Sequence, residues 1–169
     1  ILVNPNQGIA VGMASSFASF NLSEICDAAI ACIRNEDANL TEYIKSPDFS
    51  TGGEILYDED EMKLIYETGR GGFKLRAKYR YDAKNSCIDI YEIPYTTTVE
   101  AIIDKIIALV KSGKIKEIND IRDETDLNGL KITIDIKKNV KPQLLMQKLF
   151  SMTPLLDTFS CNFNLLIDG

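Results

Sequence analysis

Between residues 73 and 81 the chain alternates strictly. Phe73, Leu75, Ala77, Tyr79 and Tyr81 fall on one side; Lys74, Arg76, Lys78 and Arg80 fall on the other. A period of two predicts a half-buried strand with a basic outer face. Asp82 to Ser86 has turn chemistry, and Cys87 to Ile93 returns as a second strand ended by Pro94. Val99, Ile102, Ile103, Ile106, Ile107, Leu109 and Val110 then recur at helical spacing behind the capping box Thr97-Thr98-Val99-Glu100, and Gly113 closes that helix. Ile115 to Ile121 is a further strand. Asn128-Gly129 is a hairpin turn, and Leu130, Ile132, Ile134 and Ile136 alternate with polar partners. Val140 to Met152 is a helix with Pro142 in its first turn, and a last strand is expected near Phe163 to Ile167.

Upstream the pattern is different. Leu2 to Ala14 is apolar and glycine-punctuated, which predicts an extended segment or a hairpin tip. Asn21 caps a helix to about Asn35, with Leu22, Ile25, Cys26, Ala29, Ile30 and Ile33 on its apolar face. A short strand over 54–57 and a short acid-started helix over 58–68 follow the turn at Ser46-Pro47-Asp48-Phe49. The expected class is therefore α+β. An antiparallel or mixed sheet carries helices on one face, in the order strand-strand-helix twice and then a strand, preceded by the glycine-rich segment and its helix. The boundaries expected are 1–45 for that segment and helix and 46–169 for the α+β region.

Composition narrows the chemistry. Of the 169 residues 45% are hydrophobic, enough for a core, and 26% are charged with both signs interspersed. No run reaches the roughly 18 apolar residues a membrane span needs. There is no histidine, so Ser-His and Cys-His catalysis and mixed Cys/His zinc sites are excluded for these residues. The four cysteines, Cys26, Cys32, Cys87 and Cys161, form no C-x-x-C and are expected as reduced, mostly buried thiols. Asp120, Asp123, Glu124 and Asp126 surround Arg122, so a solvated turn with internal ion pairs is expected there, not a metal site. Thr68-Gly69-Arg70-Gly71-Gly72 precedes a strand, which is not the context of a phosphate cradle. The net charge of −6 weighs against a uniformly basic nucleic-acid binder but leaves room for a local basic face. The chain opens on Ile1-Leu2-Val3, neither a methionine nor a basic signal head, and a piece of a longer protein is expected.

Gly8-Ile9-Ala10-Val11-Gly12-Met13-Ala14 is the most specific segment. Read from its residues alone it is either a buried strand or an exposed tip. An apolar side chain at such a tip can wedge between base pairs and kink a duplex. This segment, Asn4, Asn21-Leu22, Pro47-Asp48-Phe49-Ser50-Thr51-Gly52-Gly53 and Thr68 to Gly71 occur in a definite order. Glu92-Ile93-Pro94-Tyr95, Arg122-Asp123-Glu124-Thr125-Asp126 and Ile167-Asp168-Gly169 continue it. The order resembles the A subunit of bacterial type IIA DNA topoisomerases, the DNA gyrase and topoisomerase IV A family, over its tower, or shoulder, region.

That resemblance implies a portion of an enzyme that changes DNA topology by double-strand passage. It implies that Ile9, flanked by Gly8 and Gly12, inserts into bent DNA. The basic strand face of Lys74, Arg76, Lys78 and Arg80 is a further candidate for phosphate contacts. The family's catalytic tyrosine follows an arginine upstream of the Gly-Ile-Ala-Val-Gly motif, so Arg80-Tyr81 does not correspond to it and no catalytic residue is expected within 1–169. Magnesium and ATP would be bound by a partner B subunit, in a cytoplasmic heterotetramer of two A and two B chains acting on double-stranded DNA. Pro5-Asn6-Gln7, Ala18-Ser19-Phe20 and Thr96-Thr97-Thr98 depart from the family pattern and leave gyrase and topoisomerase IV both open. A non-catalytic, acidic protein-interaction domain is the alternative from a different class.

Overall fold

The computed structural model describes residues 1–166. The chain forms two compact units. The first takes residues 1–50, 57–73 and the stretch from Phe159 onward; the second takes 51–56 and 74–158. The strands are β1 (Asn6–Ala10), β2 (Met13–Phe17), β3 (Glu54–Leu56), β4 (Arg70–Arg76), β5 (Lys78–Asp82), β6 (Cys87–Glu92), β7 (Ile118–Asp123), β8 (Ile132–Ile136) and β9 (Leu156–Asn162). The α-helices are α1 (Leu22–Arg34), α2 (Glu59–Thr68), α3 (Val99–Lys111) and α4 (Pro142–Met152). Two sheets result, ordered β1-β2-β9-β4-β3 and β5-β6-β8-β7. The α+β class holds, with two sheets where one was expected.

The difference arises at Ala77. Phe73 to Tyr81 is two strands, β4 and β5, in different sheets. The Ala77 N–H donates to Leu155 O at 2.8 Å, outside either ladder, and its side chain is buried. Alternation of burial survives a change of sheet partner, so the period of two does not reveal the break.

In the second unit β5-β6-α3 is followed by β7-β8-α4. Ile88 sits opposite Ile134 and Ile90 opposite Ile132, which places all four on one face of the four-stranded sheet. They pack with Ile102, Ile106 and Leu109 of α3 and Leu145, Met146 and Leu149 of α4. Burying each such side chain contributes about 1.5–3 kcal/mol. The other face carries Asp89 opposite Thr133, joined by a hydrogen bond from Thr133 Oγ1 to Asp89 Oδ1 at 3.1 Å. Helix α3 is capped one residue later than the capping box predicts, with Thr98 Oγ1 accepting from Ala101 N–H at 3.3 Å. The turn before β8 is also displaced: Asp126 and Gly129 exchange both backbone bonds, so Leu127-Asn128 occupies its centre.

The first unit has an aromatic core. Phe73 stacks on Phe159 at 5.4 Å, Phe49 meets Phe159 at 5.2 Å, and Phe17 stacks on Phe163 at 4.8 Å. Ser19 Oγ donates to Asp48 O at 2.6 Å, and Asp48 N–H returns to Ser19 O at 2.8 Å. Two expectations change here. The last strand is β9, which begins at Leu156 and not at Phe163, because Phe159 and Cys161 point inward between polar neighbours. Ile167-Asp168-Gly169 lies outside the described residues. Helix α1 starts behind Asn21 as expected, with Asn21 Oδ1 accepting from Ser23 N–H at 2.9 Å. It buries Ala28 and Ala31, however, and exposes Leu22, Ile30 and Ile33. Small alanines permit close approach on the inward face, so hydrophobicity alone points to the wrong one.

Candidate nucleic-acid interface

β1 and β2 form a two-residue hairpin in the first unit. Gly8 lies opposite Ser15, Ile9 opposite Ala14 and Ala10 opposite Met13. Val11-Gly12 makes the turn, and Gly12 takes φ 79°, a left-handed conformation that favours glycine. Asn162 Nδ2 and Asn164 Nδ2 both donate to Ala14 O, at 2.9 and 2.6 Å, and brace the hairpin's second strand.

The exposed-tip alternative is the one the fold adopts. Ile9 is 95% exposed and Val11 105%. Every residue of β1 is exposed, and β1 is an edge strand. An apolar side chain on an unpaired edge is a ready surface for a partner. Val11, which is not among the residues the resemblance marks, is exposed beside Ile9, Gly8 and Gly12; its place between the two glycines is the available signal. A Cβ on Gly8 would meet only Ser15 Oγ, at 3.6 Å, which is ordinary contact. Nothing in the described chain requires glycine at position 8.

Lys74, Arg76, Lys78 and Arg80 lie in the second unit, the first two on β4 and the others on β5. Three of these cations already have carboxylate partners. Arg76 donates to Glu54 Oε2 through Nη2 at 2.6 Å and Nε at 3.0 Å. Lys78 pairs with Glu92 at 2.8 Å, and the hydrogen bond to that carboxylate raises the lysine's pKa. Arg80 lies 3.5 Å from Asp89. Lys74 is exposed and forms no ion pair among the described residues. Arg80-Tyr81 is part of this ladder, with Tyr81 opposite Ile88.

Arg122 organises the acids around it, as expected. It lies 3.3 Å from both Asp120 and Glu124 and pairs with Asp135 across the β7–β8 ladder. Its neighbours sit on β7 and just beyond it, not wholly in a turn. Glu124 also accepts from Lys131 at 2.7 Å and Thr133 at 3.0 Å. Lys131, then Thr133 and Arg122, hold its carboxyl at about 2, well below the usual range. Among the described residues no three Asp, Glu, Cys or His side chains are grouped to hold a metal. All four cysteines are free thiols. Cys87 and Cys161 are buried, and burial pushes Cys161 up to about 12; Cys26 is exposed, against expectation.

The family model for the A chains of DNA gyrase/topoisomerase IV matches residues 1–169. The chain belongs to that family. Similar relatives are the DNA gyrase A subunits of Borreliella burgdorferi, 39% identical over 175 residues, and Ureaplasma parvum, also 39% over 175. The chloroplastic/mitochondrial DNA gyrase A subunit of Arabidopsis thaliana is 38% identical over 177. Each match covers 100% of this chain and 22%, 21% and 18% of the relative, respectively, so the chain spans about a fifth of their length. No helix of the described residues of this gyrase/topoisomerase IV A-family chain is long and apolar enough to cross a membrane.

The ordered motifs acquire structural roles in this A-family chain. Within the second unit Gly53 N–H donates to Glu92 Oε2 at 2.6 Å, joining the Gly52-Gly53 end of one motif to the start of Glu92-Ile93-Pro94-Tyr95. Arg122 to Asp126 holds the β7–β8 ion-pair network. Gly8 to Ala14, by contrast, satisfies the needs of its turn and then presents Ile9, Val11 and, about half-exposed, Met13 to solvent.

Proposed function

We propose that this chain is the DNA-binding and DNA-bending tower portion of the A subunit of an ATP-dependent type II topoisomerase, gyrase or topoisomerase IV. The observation that carries the reading is the full exposure of Ile9 on an edge hairpin. Inserting such a side chain between stacked bases costs a few kcal/mol, offset by the extra protein surface the bent duplex reaches. Gly8 fits the same reading, because a strand glycine that its own fold does not require leaves room for a second backbone to approach. Gly12 supplies the turn. Lys74 would add a phosphate contact, whereas Arg76, Lys78 and Arg80 would do so only by giving up an ion pair.

The parent protein would act in the cytoplasm, as two A and two B chains. The strand-cleaving tyrosine would lie upstream of Gly8-Ile9-Ala10-Val11-Gly12. Magnesium and ATP would be bound by the B chains, and this chain's part would be to position and bend the cleaved segment.

The test is Ile9→Ala in the intact A chain with its B partner. Bending of a short duplex is read by end-to-end energy transfer, beside thermal unfolding without DNA. The expected result is lost bending with an unchanged melting temperature. Normal bending by the variant would refute the wedge. A salt titration separates this reading from an acidic interaction domain, for which duplex binding and its salt slope would both be absent.

A further inference from the structure

We infer that the lysine-rich end of the four-stranded sheet is a second docking surface for the phosphate backbone of duplex DNA, in the second unit and built independently of the hairpin. The inference rests on the DNA reading above. Lys111, Lys114 and Lys116 lie on the segment from the end of α3 to β7, and Lys137, Lys138 and Lys141 on the segment from β8 to α4. The two segments run side by side: Ile118 is opposite Ile136, and Lys137 N–H donates to Glu117 O at 2.9 Å.

All six lysines are exposed, and none joins an ion pair among the described residues. The acid in these two segments, Glu117, is engaged by Lys148. Residues 137–152 contain no Asp or Glu. The neighbouring β5–β6 turn, reached through the Ile136 N–H to Ser86 O bond at 3.0 Å, adds Asp82 and Lys84, which cancel. Helix α4 adds to the field, since it starts with no side-chain cap bond and no acid in its first turn.

Charge is thereby segregated in an acidic chain. Asp123, Glu124 and Asp126 occupy the opposite end of the β7–β8 ladder, while unpaired ammonium groups gather at this one. Arg76, Lys78 and Arg80, the cations that alternation in the sequence marks most clearly, are held by Glu54, Glu92 and Asp89. Lysines are flexible point charges that follow a phosphate backbone without reading sequence. Releasing counterions from a duplex gives each such contact a slope of about 0.9 in log affinity against log salt.

The experiment measures duplex affinity against salt for the intact A chain with its B partner. It compares Lys114→Gln/Lys116→Gln/Lys138→Gln with a control of equal charge, Lys45→Gln/Lys63→Gln/Lys105→Gln. The pole variant should lose about 2–3 from the slope, and the control less than about 1. Energy-transfer bending of a short duplex reports the hairpin separately, and Ile9→Ala should abolish that signal without altering the slope difference. Equal slopes for the pole variant and the control would overturn the lysine surface and leave the hairpin reading standing. Absent bending by the wild type would overturn the hairpin reading, with the slopes still deciding the lysine surface. A pole variant that loses binding to poly-glutamate while keeping its DNA slope would assign the lysines to an acidic protein partner and refute the DNA assignment.

Discussion

Gly52 lies against Glu92 so closely that a Cβ on the glycine would overlap the carboxylate. The same carboxylate accepts the Gly53 N–H at 2.6 Å and the Lys78 ammonium at 2.8 Å. Gly52 also has φ 72°, where a side chain adds about 1–2 kcal/mol. Gly52→Ala should therefore destabilise by about 2–3 kcal/mol in urea unfolding, because Glu92 must leave both partners. In a double-mutant cycle with Glu92→Ala the two costs should fall short of additive. Full additivity would show that the glycine is needed for its backbone alone.

Acid should weaken the β7–β8 network before it weakens the core. Glu124 has a carboxyl held at about 2 by Lys131, Thr133 and Arg122, against an ordinary value of 4.5. A depressed carboxyl contributes stability that is complete above its unfolded pKa and lost as pH falls through its folded one. The urea midpoint should thus decline between about pH 4.5 and 2, and Glu124→Gln should flatten that limb. A wild-type limb retained in Glu124→Gln would place the acid sensitivity elsewhere.

Gly8→Ala separates the needs of the fold from those of a partner. The new methyl group has room beside Ser15, so stability should move by no more than about 0.5 kcal/mol. Duplex bending by the intact A chain should nevertheless fall several-fold, as should bending by Val11→Ala. Unchanged bending in both variants would confine the contact to Ile9.

If the parent protein cleaves DNA as proposed, Tyr81→Phe should leave that cleavage, measured with the A chain and its B partner, at the wild-type level. Tyr81 is about half-exposed opposite Ile88, and its neighbour Arg80 is directed to Asp89. Loss of the covalent protein–DNA product in this variant would make it the nucleophile and remove the basis for placing that residue upstream.

Features that depend on near neighbours along the chain are legible without the fold. Leu22–Arg34, Glu59–Thr68 and Val99–Lys111 are helices because their caps and 3.6-residue spacing are local properties, and Pro142–Met152 because Pro142 suits a first helical turn. The ordered motifs carry the family, but the glycine-punctuated segment leaves a buried strand and an exposed tip both open until Ala10 pairs with Met13 and Val11-Gly12 becomes the turn. Where each element sends its charges and apolar faces is settled only by folding. Ala77 switches sheets because its N–H meets Leu155, far away in sequence. Helix α1 turns Ala28 and Ala31 inward because close packing favours small side chains that a hydrophobicity pattern undervalues. The basic stripe at Arg76, Lys78 and Arg80 is neutralised by carboxylates from β3 and β6, whereas the segments that carry Lys114, Lys116, Lys137 and Lys138, exposed and without ion pairs among the described residues, are brought side by side where Ile118 meets Ile136. Coulomb energy depends on distance through space, and that distance is set only when the chain has folded.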